Sequence, residues 1–143
     1  MATAEGAEPV HQLTLQVRWG DMDALGHVNN ATYFTYFEQA RVAWLERLAG
    51  SGGHLSPDAG SGPVVVTASC EFRLPITYPA TLTVAVLAAP PGRSSIDTCY
   101  RLVDAGDQRL YALGAARMVW VDRRSGRSTP LPAGLREALP GAG

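Results

Sequence analysis

The chain has 143 residues, with 12 basic residues, all of them arginine, against 13 acidic ones. That length fits one domain, and 46% hydrophobic with 17% charged residues is a composition that folds. A formal net charge of -1 lacks the basic excess of a general nucleic-acid binder. No stretch reaches the ~20 apolar residues of a membrane-spanning helix, and the first residues have neither the basic start nor the apolar run of a secretory signal. These features predict a soluble, cytoplasmic protein with no nucleic-acid and no membrane partner. Cys70 and Cys99 are too far apart in sequence for a metal or redox pair, and they are expected as small buried hydrophobes in strands.

Residues 1–10 read as a loose tail and 11–140 as the single domain. Residues 11–18 (HQLTLQVR) alternate, with Leu13, Leu15 and Val17 on one face, the period of a half-buried strand. An irregular polar stretch follows over 19–30 (WGDMDALGHVNN). A helix is predicted from about Ala31 to Ala49, with Asn29 or Asn30 as its N-cap and Gly50 as its stop. Large aromatics at helical spacing mark it as mostly covered, and Phe34 is expected in the core. Glu38 and Arg41 are spaced as an i,i+3 ion pair. Residues 50–63 form a Gly- and Ser-rich loop, read equally well as a lid or a plain connection.

The pattern then changes to strands at 64–74, 81–89, 94–104 and 108–122, each junction marked by Gly, Pro or Asp. The last run exceeds the usual strand length, which predicts a bulge near Gly114. Residues 130–139 suggest a short final helix. One strand, one long helix and four consecutive strands make an α+β fold, an antiparallel sheet with a helix on one face. The unpaired edge of such a sheet is a liability that pairing between two copies removes.

Chemistry-bearing residues concentrate between the first strand and the helix: Asp21, Asp23, Gly26, His27, Asn29 and Asn30. Three readings suit them. Asp and Asn bond their own backbone in turns. Asp21, Asp23 and His27 could ligate a metal, although one D-x-D with one His is thin support. A carboxylate beside a helix N-terminus could also run acyl transfer, because unpaired N–H groups and a partial positive charge suit a developing oxyanion. No G-x-S-x-G elbow, phosphate loop or dinucleotide fingerprint is present.

The run VRWGDMDALGHVNN (17–30), followed by Tyr33, Tyr36, Glu38, Ala40 and Arg41, resembles the signature of hotdog-fold acyl-CoA thioesterases, in their 4-hydroxybenzoyl-CoA thioesterase-like branch. Cys70-Glu71-Phe72-Arg73 before Pro75, Arg93-Ser94-Ser95, and Val119-Trp120-Val121-Asp122 extend the likeness over nearly the whole chain. The resemblance implies a five-stranded antiparallel sheet wrapped around one long helix. It places the catalytic carboxylate on Asp23 and the oxyanion N–H on Asn30, with His27 and Asn29 beside them orienting water or thioester. Asp21, as a structural partner, joins Tyr33, Arg93 and Ser94 in the substrate-binding set, with Tyr33 lining the acyl tunnel and Arg93 meeting CoA phosphates. It implies no metal or bound cofactor, and a homodimer or dimer of dimers with sites at the dimer interface. The GHVNN form also occurs in acyl-carrier-protein thioesterases, so the carrier stays open. A non-catalytic acyl-CoA-binding or regulatory hotdog protein is the alternative from another class.

Overall fold

The computed structural model describes residues 8–49 and 59–141. Its elements run β1 (His11–Gln16), α1 (Asn30–Ala49), β2 (Ser61–Phe72), β3 (Thr81–Ala88), β4 (Ser95–Asp104), β5 (Leu110–Asp122) and α2 (Ala133–Ala138). The strands form one antiparallel sheet in the order β1-β3-β4-β5-β2. This is the hotdog arrangement, five strands curled around one long helix. Residues 50–58 of the expected loop, with the stop at Gly50, lie outside the described residues, as does most of the N-terminal tail, whereas Ser61, Gly62 and Pro63, expected in that loop, are already paired with β5 as the start of β2. Val10 is already held to the sheet, its N–H bonding the Val86 carbonyl at 2.7 Å.

Alternation along the strands fixes which side chains meet the helix. Leu82, Val84 and Val86 of β3, Ile96, Tyr100 and Leu102 of β4, and Ala112, Ala116, Met118 and Trp120 of β5 are buried on the inner face. Opposite them α1 buries Tyr33, Tyr36, Phe37, Ala40, Trp44 and Leu45. Leu131, Leu135 and Leu139, on and around α2, complete the same core. Among the described residues no helix is long and apolar enough to cross a membrane.

Three expectations need correction. The last strand does carry an irregularity, but at Tyr111 and not at Gly114: Leu102 pairs with Ala112 and Val103 with Leu110. A second slip, between Val65 and Thr67, lies in β2. Gly114 sits in regular pairing and has a packing role: a Cβ there would overlap the Phe37 ring, which lies flat on Tyr100 at 4.9 Å between centroids. Phe34 is not in the core but 37% exposed, on the side of α1 that shares a cavity with the exposed Val65 and Ala68 of β2. Arg41 does not pair with Glu38. It is buried, and its guanidinium bonds the Tyr100 hydroxyl at 3.0 Å. Cys99 is buried and Cys70 half-buried, and both are free thiols. Burial, with Glu71 adding to it, pushes the Cys70 thiol up to about 11.

The strand β2 is the outlier. Among the described residues it forms a long edge, paired only with β5, and its residues 64–69 are exposed on both faces. Val64, Val65 and Val66 are each more than 40% exposed, an apolar strand edge that none of the described residues covers.

Gly114→Ala tests the close approach of β5 to α1. Overpacking a filled core costs about 1–3 kcal/mol, so urea unfolding is expected to show a loss of that size. Unchanged stability would mean the Phe37 ring moves aside freely.

Candidate active site

After β1 the chain closes a compact loop by hydrogen bonds to itself. Trp19–Asp21 form a single 3-10 turn. The Asp21 carboxylate turns inward, where Oδ2 accepts the Arg18 N–H at 2.9 Å and the Tyr36 hydroxyl at 2.8 Å. Oδ1 accepts the Arg18 guanidinium at 3.3 Å. Burial alone would raise the Asp21 carboxyl, but the Arg18 N–H, the Tyr36 hydroxyl and the Arg18 charge hold it below the usual carboxylate range. The Tyr36 phenol is pushed up in turn, by burial first and then by this carboxylate. The backbone carbonyl of Asp21 accepts the Asn29 N–H at 2.9 Å. Both ends of the loop therefore converge on Asp21.

Between those ends, Met22 and Val28 pair as an isolated bridge. The Asp23 N–H bonds the His27 carbonyl at 2.9 Å, and the Gly26 N–H bonds the Asp23 carbonyl at 3.0 Å. Gly26 has φ +84°, a conformation that side-chain-bearing residues rarely hold, so this tight tip needs glycine. The Val28 N–H bonds the Ile76 carbonyl at 2.8 Å, fastening the loop to the segment after β2. The Asn29 Oδ1 accepts the Ala31 N–H at 2.9 Å and its carbonyl accepts the Thr32 N–H at 2.9 Å, so Asn29 is the N-cap of α1.

These bonds leave one side of the loop facing a cleft of about 490 Å³. Asp23, Leu25, His27, Asn30 and Tyr33 form one wall, and residues 72–75, after the end of β2, form the other. Asp23 Oδ1 accepts the Leu25 N–H at 2.9 Å, and its second oxygen has no partner among the described residues. The Asn30 N–H, first in α1, also has none there. The cleft thus joins a carboxylate oxygen free to react with a free N–H at the positive end of a 20-residue helix. The His27 side chain is exposed at the rim. The Tyr33 ring meets Phe72 edge-on at 4.8 Å, and burial raises its phenol above the ordinary value.

The cleft brings together Asp23, His27, Asn30 and Tyr33. Asp21 and Asn29 do not line it, since their side chains hold the loop and the helix start. Arg93 and Ser94 lie in the turn between β3 and β4, also outside it. The Arg93 carbonyl accepts the Leu131 N–H at 3.0 Å, and that of Ser94 accepts the Trp120 N–H at 2.7 Å. Among the described residues no group of three or more His, Cys, Asp or Glu side chains could hold a metal ion. The wall formed by Phe72, Arg73, Leu74 and Pro75 had no predicted role. Phe72, Arg73 and Pro75 entered the sequence reading only as part of the family likeness, and the Val28–Ile76 bond that brings the segment here has no local signature.

The family model of the thioesterase-like superfamily matches residues 17–139. The PA2801 protein from Pseudomonas aeruginosa, provisionally described as a thioesterase, is 41% identical, with TM-score 0.81, over 92% of this chain and 98% of its own. A thioesterase from Thermus thermophilus, complexed with coenzyme A and Zn, is 30% identical, with TM-score 0.75, over 91% of this chain and 97% of its own. The uncharacterized protein YsmA from Bacillus subtilis is 27% identical over 125 residues, 87% of this chain and 82% of its own.

Asp21→Asn weakens the charge-assisted bonds from Tyr36 and Arg18, an expected loss of about 1–3 kcal/mol at neutral pH. Because the folded carboxyl lies below the usual 3.8, its contribution is complete above that pH and fades as pH falls below it. Urea unfolding of wild type and variant should therefore differ at pH 7 and converge in acid. A difference that persists unchanged in acid would overturn the ionic reading.

Proposed function

The chain belongs to the thioesterase-like superfamily, and from that premise we propose that it hydrolyses an acyl-CoA thioester to the free acid and CoA. The observation that carries this reading is the meeting of the unengaged Asp23 oxygen and the unengaged Asn30 N–H in one cleft. A thioester carbonyl oxygen seated at Asn30 is polarised by the helix N-terminus. Asp23 then acts by one of two routes. It attacks the carbonyl carbon, CoA leaves as thiolate, and water hydrolyses the resulting anhydride. Alternatively it takes a proton from a water that attacks directly. Both routes end in the same products and use the same two groups.

The other residues take supporting roles in this reading. Asp21 and Asn29 are positioning residues, one holding the loop and the other capping α1. His27 at the rim orients water or the thioester. Tyr33 and Phe72 wall the start of the acyl group. The Thermus relative complexed with coenzyme A favours CoA over a carrier protein, and a CoA substrate suits a cytoplasmic setting.

We further assign the bare edge of β2 to a second copy of the chain, which extends the sheet through a dimer and covers Val64, Val65 and Val66. Arg93 and Ser94 do not line the cleft of their own chain, so their contact with CoA phosphates requires that assembly. A guanidinium suits phosphate.

Asp23→Asn keeps the side-chain shape and removes the charge. Thiol release from a panel of acyl-CoAs should fall by about 10²–10⁴-fold in kcat, with the circular dichroism spectrum unchanged. Full activity in the variant would overturn the assignment of Asp23. Sedimentation should show dimers or tetramers, and Val64→Asp with Val66→Asp should shift them toward monomer. A wild-type monomer at micromolar concentration would overturn the edge-to-edge reading.

A further inference from the structure

The far wall of the cleft departs from strand geometry. A regular strand offers every second residue to one side, yet Phe72, Arg73, Leu74 and Pro75, four in a row, all line the cleft. A single residue of β5 accounts for the departure. Phe72 pairs with Ala112 as the last step of the β2–β5 ladder. Just past it the Arg73 and Leu74 N–H groups both donate to the Tyr111 carbonyl, at 2.8 and 3.1 Å. Two residues there oppose one, the count that defines a bulge. On its other side Tyr111 is skipped by β4, whose Leu102 and Val103 pair with Ala112 and Leu110. Bulges re-aim side chains and end pairing, and this one turns a strand end into a wall. The other fastening of the wall is the Val28 N–H on the Ile76 carbonyl. Tyr111 thus holds one end of the segment and the Asp23 loop holds the other.

Tyr111 is itself held from behind. It is buried, and its hydroxyl reaches the turn between β4 and β5. There it accepts an Arg109 guanidinium N–H at 2.9 Å and donates to Asp104 Oδ1 at 3.4 Å. The same guanidinium lies 5.3 Å from the centre of the Tyr111 ring, within cation–π range. Asp104 Oδ2 accepts the Gly106 and Asp107 N–H groups at 2.9 and 3.0 Å, so the turn that carries both partners is fixed in turn. None of Asp104, Arg109 and Tyr111 lines the cleft. We infer that Tyr111 is a positioning residue that sets the width of the cleft and so selects the acyl group, favouring CoA thioesters whose acyl chain is long enough to touch Phe72 and Leu74 over acetyl-CoA. This inference rests on the thioesterase reading, and its test separates the two.

The test compares kcat/KM for hexanoyl-CoA and acetyl-CoA in wild type and in Tyr111→Phe, which removes the hydroxyl and keeps the ring. Wild type should prefer hexanoyl-CoA. Tyr111→Phe should lower kcat/KM for hexanoyl-CoA by about 5- to 10-fold, within the scale of losing a hydrogen bond from a charged donor, and acetyl-CoA by less than about twofold. The loss should fall on KM more than on kcat, because Asp23 and Asn30 are untouched. Arg109→Met, at an exposed site, should shift hexanoyl-CoA in the same direction. The double variant should lose no more than Tyr111→Phe alone, since both changes act through one hydroxyl. Wild type without preference, an equal loss on both thioesters, or losses that multiply in the double variant overturn the inference and leave thioester hydrolysis standing. If wild type cleaves neither thioester, amide hydrogen exchange decides. The Arg73 and Leu74 N–H groups should exchange about 2- to 10-fold faster in Tyr111→Phe, with the Asp23 N–H unchanged. Unchanged exchange at Arg73 and Leu74 overturns the positioning role.

Discussion

The site depends on one buried carboxylate that does not face the cleft. Asp21 draws together the Arg18 backbone, the Arg18 guanidinium and the Tyr36 hydroxyl from the second turn of α1, and its carbonyl holds the Asn29 N–H. Hydrogen bonds to a charged acceptor are stronger than neutral ones, and inside the fold they face less competition from water. The loop that carries Asp23 is therefore clamped at both ends to the helix whose N-terminus it must face. The proposed reaction asks Asp23 and the Asn30 N–H to act on one carbonyl, and catalysis by positioned groups is sensitive to small shifts.

Clamping also explains why the two carboxylates of the D-x-D divide their work. They are two residues apart on an irregular chain, so they point to different sides of it. The one turned inward finds three donors and is held in its charged form. The one turned outward finds a single donor from Leu25, and its second oxygen has no partner among the described residues. The division follows from the local backbone: Asp21 closes the 3-10 turn, whereas Asp23 lies in the loop beyond it, its N–H bonded to the His27 carbonyl. Residue type alone does not separate them.

Much of the fold was legible in the sequence, because it is written in periods. The alternation of β1, the aromatic stripe of α1 and the four later strands all appear within a few residues of their places, and Asn29 caps the helix as its side chain allows. What the sequence hid was non-local. Gly114 looked like a bulge because it broke a long strand, but the ring that requires it comes from Phe37, 77 positions earlier. Arg41 looked like half of an ion pair because Glu38 sits at the right spacing, yet a tyrosine from β4 takes the guanidinium first. Phe34 follows the aromatic pattern of its neighbours and still ends half out of the core, since helical spacing cannot say where the sheet stops curling. Residues 72–75 read as a strand end, and their place as the far wall of the cleft was hidden because a non-local bond sets it.

The exposed strand and a second cavity lie on one side of the molecule. Between Val64 and Ser69 β2 is exposed on both faces, and among the described residues it pairs with β5 alone. The cavity there is walled by Phe34 and Phe37 of α1 and by Val65 and Ala68 of β2, with the buried Arg41 in its lining. A buried guanidinium needs polar partners, and the Tyr100 hydroxyl supplies one. One helix therefore borders two separate spaces. Its first residue meets Asp23 in the lining of the cleft, and its next turns wall the cavity beside β2.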